Sequence, residues 1–238
     1  MPVLTVRQFM ERQDEVLERS FRSRQALVRE AGLVSDPVVT EQRGGFHVVF
    51  RHELSMAEQV ATVAKRIATV VSGTVAYGKR EVHTTIGDAG VTPGFQFDDR
   101  NSEQTKVLDR LTVSVNTALA SRGQRDLNCA ITYNGCLSNQ TTVIAPGRPN
   151  SEFLRVIRRI RRQCQKLDLP VSNPWGAHIT VARFGQAMPP DQLTPFFQLM
   201  DGVEYVVGTS RLTCVDVGHF TCGPKGFRIT VMARFPLR

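Results

Sequence analysis

The segment EVHTTIGDAG, residues 81–90, carries His83 and, two places on, Thr85. The segment GAHITVARFG, residues 176–185, repeats that form with His178 and Thr180. Successive side chains of a β-strand point to opposite faces, so His83 shares a face with Thr85, and His178 with Thr180. The elements around the two segments recur in order. GGFHVVFRH (44–52) reads as a strand, and SMAEQVATVAKRIATVVSG (55–73) as a helix, with Ser55 and Glu58 at capping-box spacing and Gly73 as its stop. TVAYGKREVHTTIG (74–87) reads as extended chain ending in the His83 strand. GDAGVTPGFQFDDR (87–100) reads as a loop, and NSEQTKVLDRLTVSVNTALASRG (101–123) as a helix closed by Gly123.

The same order then returns. LNCAITYNGCLSNQTTVIAPG (127–147) holds one or two strands, and NSEFLRVIRRIRRQCQKLDL (150–169) is a helix capped by Asn150 or Ser151. The His178 strand follows at 175–185, then a short helix over 190–202. Residues 203–237 are strand-rich, with CGPKG as a hairpin turn. Strand, helix, His-bearing strand, helix, twice over, predicts an α+β class rather than a doubly wound parallel sheet. The expected architecture is a two-lobed, pseudo-symmetric fold of antiparallel sheets with flanking helices. If the lobes pack about a pseudo-twofold axis, both His-x-Thr pairs converge on one central cleft. Residues 1–43 stand apart as an N-terminal helical extension. Val6, Phe9, Met10, Leu17, Phe21, Leu27 and Val28 are spaced loosely at helical intervals there, and Gly32 and the SDP at 35–37 end the run. Residues 44–238 form the two-lobed domain.

Composition narrows the function classes. The chain has 238 residues, 41% of them hydrophobic, with five scattered cysteines and no CxxC pair. That argues against a disulfide scaffold or a zinc knot. There is no run of about 18 apolar residues to span a membrane. The N-terminal stretch is charged and lacks an apolar signal core, so a cytoplasmic protein is expected. The formal net charge of +8 favours a polyanionic partner such as RNA or a nucleotide.

Two imidazoles across a phosphodiester can act as general base and general acid in one displacement, since the imidazole pKa of about 6.5 lies close to neutrality. Thr85 and Thr180 offer neutral hydroxyl donors to the non-bridging oxygens. This chemistry needs no metal and no cofactor, and neither histidine has an HExxH pattern or clustered carboxylates beside it. The competing reading makes His83 and His178 half-buried strand histidines with satisfied hydrogen bonds.

On these residues the sequence resembles the two-histidine (2H) phosphoesterases, which include RNA 2′,3′-cyclic phosphodiesterases, also described as 2′-5′ RNA ligases. The signature of that family is two copies of His-x-Ser/Thr-x, here HTTI and HITV, with Arg183 following the second as HITVAR. The resemblance covers about residues 44–238 and implies a two-lobed α+β fold with a central cleft. It further implies that His83, Thr85, His178 and Thr180 act in cleaving or forming phosphodiester bonds. Thr84 departs from the pattern where an apolar residue is usual, and GDAG replaces an apolar continuation.

Other residues carry two readings each. Arg183 has the strand parity opposite to His178 and either reaches phosphate or faces solvent. Trp175 and Tyr133 are candidates to stack a base, against packing in the core or at the rim. His47, His52 and His219 read as structural or surface residues. Arg155, Arg158, Arg159, Arg161, Arg162 and Lys166 on one helix form either a solvated face or a phosphate-backbone track. Rival functions are a non-catalytic RNA-binding module, a phosphoesterase for a small cyclic or 2′-5′ linked nucleotide, and a metalloenzyme.

Overall fold

A computed structural model describes residues 5–120, 127–201 and 206–237. The expected helix stop at Gly123, the final Gly202 of the 190–202 helix and the strand start at 203–205 lie outside the described residues.

The N-terminal run is not one helix but two. Helix α1 spans Val6–Ser20 and α2 Gln25–Ala31, with a 3-10 turn between them. Thr5 and Gln8 close a capping box on α1, and Gly32 (φ 78) ends α2. The SDP at 35–37 then begins a further short helix, α3 (Pro37–Thr40), because Asp36 accepts the Val38 N–H and Pro37 sits at the first position.

Strand β1 (Gly44–His52) is followed by helix α4 (Leu54–Val70). The expected cap is displaced: Glu53 takes the N-cap position and no side chain bonds there. Helix α4 forms because Met56, Val60, Val63, Ala64 and Ile67 recur at helical spacing and are buried. Each of the larger of these side chains, Met, Val and Ile, contributes about 1.5–3 kcal/mol on full burial. The expected 74–87 strand is two, β2 (Thr74–Ala76) and β3 (His83–Thr92). Strand β3 runs on through the stretch expected to be loop, since its partner β1 continues opposite it and pairs Gly44 with Thr92.

Helix α5 (Ser102–Ala120), strands β4 (Ala130–Asn134), β5 (Leu137–Ser138) and β6 (Thr142–Pro149), and helix α6 (Ser151–Lys166) follow. Asn150 caps α6, accepting the Phe153 N–H. Strand β7 (His178–Phe184), helix α7 (Thr194–Asp201) and the hairpin β8 (Val207–Gly223) and β9 (Gly226–Pro236) complete the chain, with Pro224 and Lys225 in the hairpin turn.

The fold class is α+β, as expected. Among the described residues nine strands form one antiparallel sheet in the order β2-β7-β6-β4-β8-β1-β3, with β5 on β6 and β9 on β8. Strand β4 joins the two halves by pairing with both β6 and β8. The sheet folds back so that its ends meet: the Thr84 hydroxyl on β3 donates to the His178 carbonyl on β7 at 3.2 Å. Helix α4 packs against β2 and β7, while α5 and α6 pack on each other. No helix among the described residues is long and apolar enough to cross a membrane.

Candidate active site

Strands β3 and β7 are built alike. Each opens on a histidine, and each carries one extra residue three places later. On β3 the pairing steps from Val49–Thr85 to Val48–Gly87, leaving Ile86 as a bulge. On β7 it steps from Ile144–Thr180 to Val143–Ala182, leaving Val181 as a bulge. A bulge inverts the alternation of side chains beyond it. Both strands therefore present positions one, three and six to the same side: His83, Thr85 and Asp88 on β3, and His178, Thr180 and Arg183 on β7. All six line one cleft of about 270 Å³, together with His47, Tyr77, Ser172, Trp175, Phe220 and Phe227. The opposite parity of Arg183 in the sequence is undone by the bulge, which turns it into the cleft.

The two imidazoles are held in matching ways. His83 donates its Nδ1–H to the Glu81 carbonyl at 2.6 Å, and His178 donates its own to the Gly176 carbonyl at 3.3 Å. A carbonyl only accepts, so the proton sits on Nδ1 and the unprotonated Nε2 is left for the cleft. Each ring is backed by an aromatic. Phe227 stacks on His83 at 5.5 Å and Trp175 on His178 at 4.1 Å between centroids. Burial, with the Arg183 charge as a smaller cause, pushes the His83 pKa down to about 4 and that of His178 to about 3. Both are thus neutral at pH 7.

The unusual Thr84 has a structural task. Its hydroxyl is buried, within 3.0 Å of His52 Nε2 and 3.2 Å of Tyr133 Oη, besides the His178 carbonyl. With its one hydrogen on that carbonyl, its oxygen accepts from the other two. Tyr133 is consequently tied into the core, 1% exposed, and lies outside the cleft. His52 is buried in the same network, bonded also to Ser210. His47 is buried too, 1% exposed, but it lines the cleft 6.1 Å from the His83 ring. His219 stacks on Phe97 away from the cleft.

The GDAG flank also has a reason. A Cβ on Gly87 would collide with Val171, so glycine lets the loop before β7 lie directly on β3. There the Ser172 N–H donates to the Asp88 carbonyl at 2.8 Å, and the Asp88 N–H donates to Ser172 Oγ at 3.1 Å. Arg161, turned inward from the basic face of α6, donates to the Ser172 and Val171 carbonyls beneath. The remaining basic residues of α6 include exposed Arg162 and Lys166 and the Arg155–Glu152 pair at 2.8 Å.

The N-terminal segment reaches the cleft. Asp36 Oδ2 accepts from the Arg183 guanidinium at 2.6 Å, and Tyr77 Oη accepts from Arg183 Nε at 3.1 Å. Gln13 is buried; it donates to the Gly147 carbonyl and accepts the Ala177 N–H beside His178. Phe21 stacks on Trp175. None of Asp36, Gln13, Tyr77, Asp88 or Phe227 was singled out in the sequence. Only Asp88 and Asp36 left a signal there, as parts of the departing GDAG and of the SDP at 35–37. Among the described residues no three His, Cys, Asp or Glu side chains are grouped as metal ligands.

No family model matches the sequence, and no curated protein matches it. Solved structures do match in fold. TT0787 of Thermus thermophilus is 15% identical with a TM-score of 0.54, covering 82% of this chain and 98% of its own. A structure titled as a phosphoesterase is 14% identical with a TM-score of 0.53 over 82% and 98%. E. coli LigT complexed with NADP+ is 14% identical with a TM-score of 0.51 over 82% and 99%. The chain has the fold of these LigT-like structures, the fold that HTTI and HITV imply.

Proposed function

We propose that the protein is a metal-independent phosphodiesterase that hydrolyses 2′,3′-cyclic phosphate ends of RNA or nucleotides. The observation that carries this is the matched pair of imidazoles, each with Nδ1–H tied to the carbonyl two residues upstream and Nε2 free at a shared cleft. One Nε2 takes a proton from water as the water oxygen attacks phosphorus. The other, protonated, delivers its proton to the ribose oxygen as its bond to phosphorus breaks. The product is a phosphomonoester and a free ribose hydroxyl. Thr85, Thr180 and Arg183 hold the non-bridging oxygens as charge develops on them. Trp175 closes the His178 side of the cleft, where it backs the imidazole and offers a face to a base.

Burial keeps both histidines neutral at pH 7, so the acid gains its proton with the substrate. The negative phosphate favours that gain, as an opposite charge within about 4–6 Å raises an imidazole pKa. The likeness to a phosphoesterase and to LigT holding NADP+ supports a nucleotide ligand. On this reading residues 44–238 form the phosphoesterase domain and residues 1–43 brace it through Gln13 and Asp36.

The test is turnover of a short RNA ending in a 2′,3′-cyclic phosphate, with EDTA present, by wild type, His83→Ala and His178→Ala. Turnover that collapses in both variants supports the reading. RNA binding without turnover, equal in all three, favours a non-catalytic binding module. Turnover of mononucleoside cyclic phosphates alone favours a small nucleotide as substrate.

A further inference from the structure

The two half-sites match in burial over their first six positions but differ in charge at the sixth, where Asp88 answers to Arg183. Arg183 is anchored by Asp36 and Tyr77. The Asp88 carboxylate has no hydrogen-bond donor or ion-pair partner among the described residues; only its backbone is bonded, to Ser172. Directly across the β1–β3 pairing from Asp88 stands His47, 1% exposed, whose Nε2 also lacks a hydrogen-bond partner. Buried polar atoms such as His47 Nε2 are rarely left unpaired, and the part-buried Asp88 carboxylate beside it at the cleft wall is open to a ligand's donor. Burial pushes the Asp88 carboxyl up to about 7, against the pull of Arg183, as expected of an acceptor short of donors.

We infer that Asp88, with His47 beside it, is a specificity-determining subsite that accepts a hydrogen bond from an O–H or N–H group of the nucleoside. This rests on the reading of the cleft as a phosphate and nucleotide site. The charges divide the cleft. The phosphate is drawn toward Arg183 and kept from the carboxylate, so the donor-bearing part of the nucleoside lies on the β3 side. An otherwise symmetric pair of histidines thereby receives its substrate in one direction. The donor is either a sugar hydroxyl or an exocyclic amino group of the base, and both present the same chemistry to Asp88.

Calorimetric binding of inorganic phosphate, cytidine 3′-monophosphate and uridine 3′-monophosphate tests this without requiring turnover. Wild type should bind the nucleotides more tightly than phosphate. Asp88→Ala should lose about 10–100-fold in nucleotide affinity, the loss of a hydrogen bond to a charged acceptor, and bind phosphate as tightly as wild type or more so. Asp88→Asn, which keeps the shape and one acceptor oxygen, should lose less. Equal losses for both nucleotides assign the donor to the sugar, and a loss confined to cytidine assigns it to the base amino group. The inference falls if wild type does not prefer the nucleotides, if Asp88→Ala changes nothing, or if it weakens all three ligands equally, which marks a structural role. Hydrolysis of cyclic phosphates is measured separately, so failure of the proposed activity and failure of this subsite are told apart.

Discussion

Strands β3 and β7 are the same device made twice, and they part company in three places. His83 and His178 have the same tautomer, the same upstream carbonyl partner, an aromatic behind the ring and a bulge three residues on. Beyond the bulge, one strand sets a carboxylate in the cleft and the other a guanidinium. Behind the first histidine, Thr84 is polar and networked, while Ile179 behind the second is plain core. The second strand is also braced by the N-terminal segment, through Gln13 and Asp36. The histidine half-sites are duplicated, whereas the side chains set around them are not.

The comparison breaks first at the histidines if the halves are not chemically equal. Removing either imidazole should lower kcat on a cyclic-phosphate RNA by about 10²–10⁴-fold, the usual worth of a general acid or base. A large loss in one variant with a small loss in the other, measured by single turnover, would show that one half works alone.

Next comes the brace. Asp36→Ala leaves the partly buried Arg183 charge without its carboxylate, which should cost about 1.5–3 kcal/mol of stability in urea unfolding. Asp88→Ala, at the matching position, should cost little stability because its carboxylate has no protein partner. Equal destabilisation of the two variants would mean that Asp88 is as structural as Arg183.

Acid sharpens the likeness. His83 and His178 are neutral in the fold, with pKa values of about 4 and 3 against the ordinary 6.5. The unfolded chain therefore binds protons first as pH falls. Stability should be complete above pH 6.5 and decline as pH drops toward 4, by up to about 1.4 kcal/mol per pH unit for each such histidine. Proton NMR should show both rings titrating below 6.5, His178 last, and saturating phosphate should raise both midpoints.

The smallest effect is at the seam. Thr84→Val removes the hydroxyl shared by His52, Tyr133 and the His178 carbonyl, and should cost about 1–3 kcal/mol. An unchanged melting temperature would mean that the two strand ends are held together by packing alone.

The His-x-Thr pairs were legible because strand alternation is local: two residues apart is the same face whatever the rest of the chain does. The duplicated order of elements was legible for the same kind of reason, since apolar spacing and glycine stops are read within single segments. Arg183 was legible as a candidate but not its facing, and Asp88 was not legible at all, because one bulged residue, Ile86 or Val181, inverts the faces beyond it, and its place is set by the partner strand. Asp36 looked like a terminator since SDP begins helices as readily as it follows them. Its bond to Arg183 spans 147 residues and leaves no local trace. Tyr133, a plausible base-stacking residue in sequence, was claimed by a buried hydroxyl network assembled from five strands.

The Thr84 bond to His178 spans 94 residues, and the Gln13 bond to Ala177 spans 164. A chain leaving the ribosome makes α1, β1 and β3 long before the strand that completes them exists. Such distant pairings are slow to form and come late in folding. The cleft between the two strands is consequently completed only late in the synthesis of the chain. A nascent chain halted short of residue 178 carries His83 with no His178 to set against it.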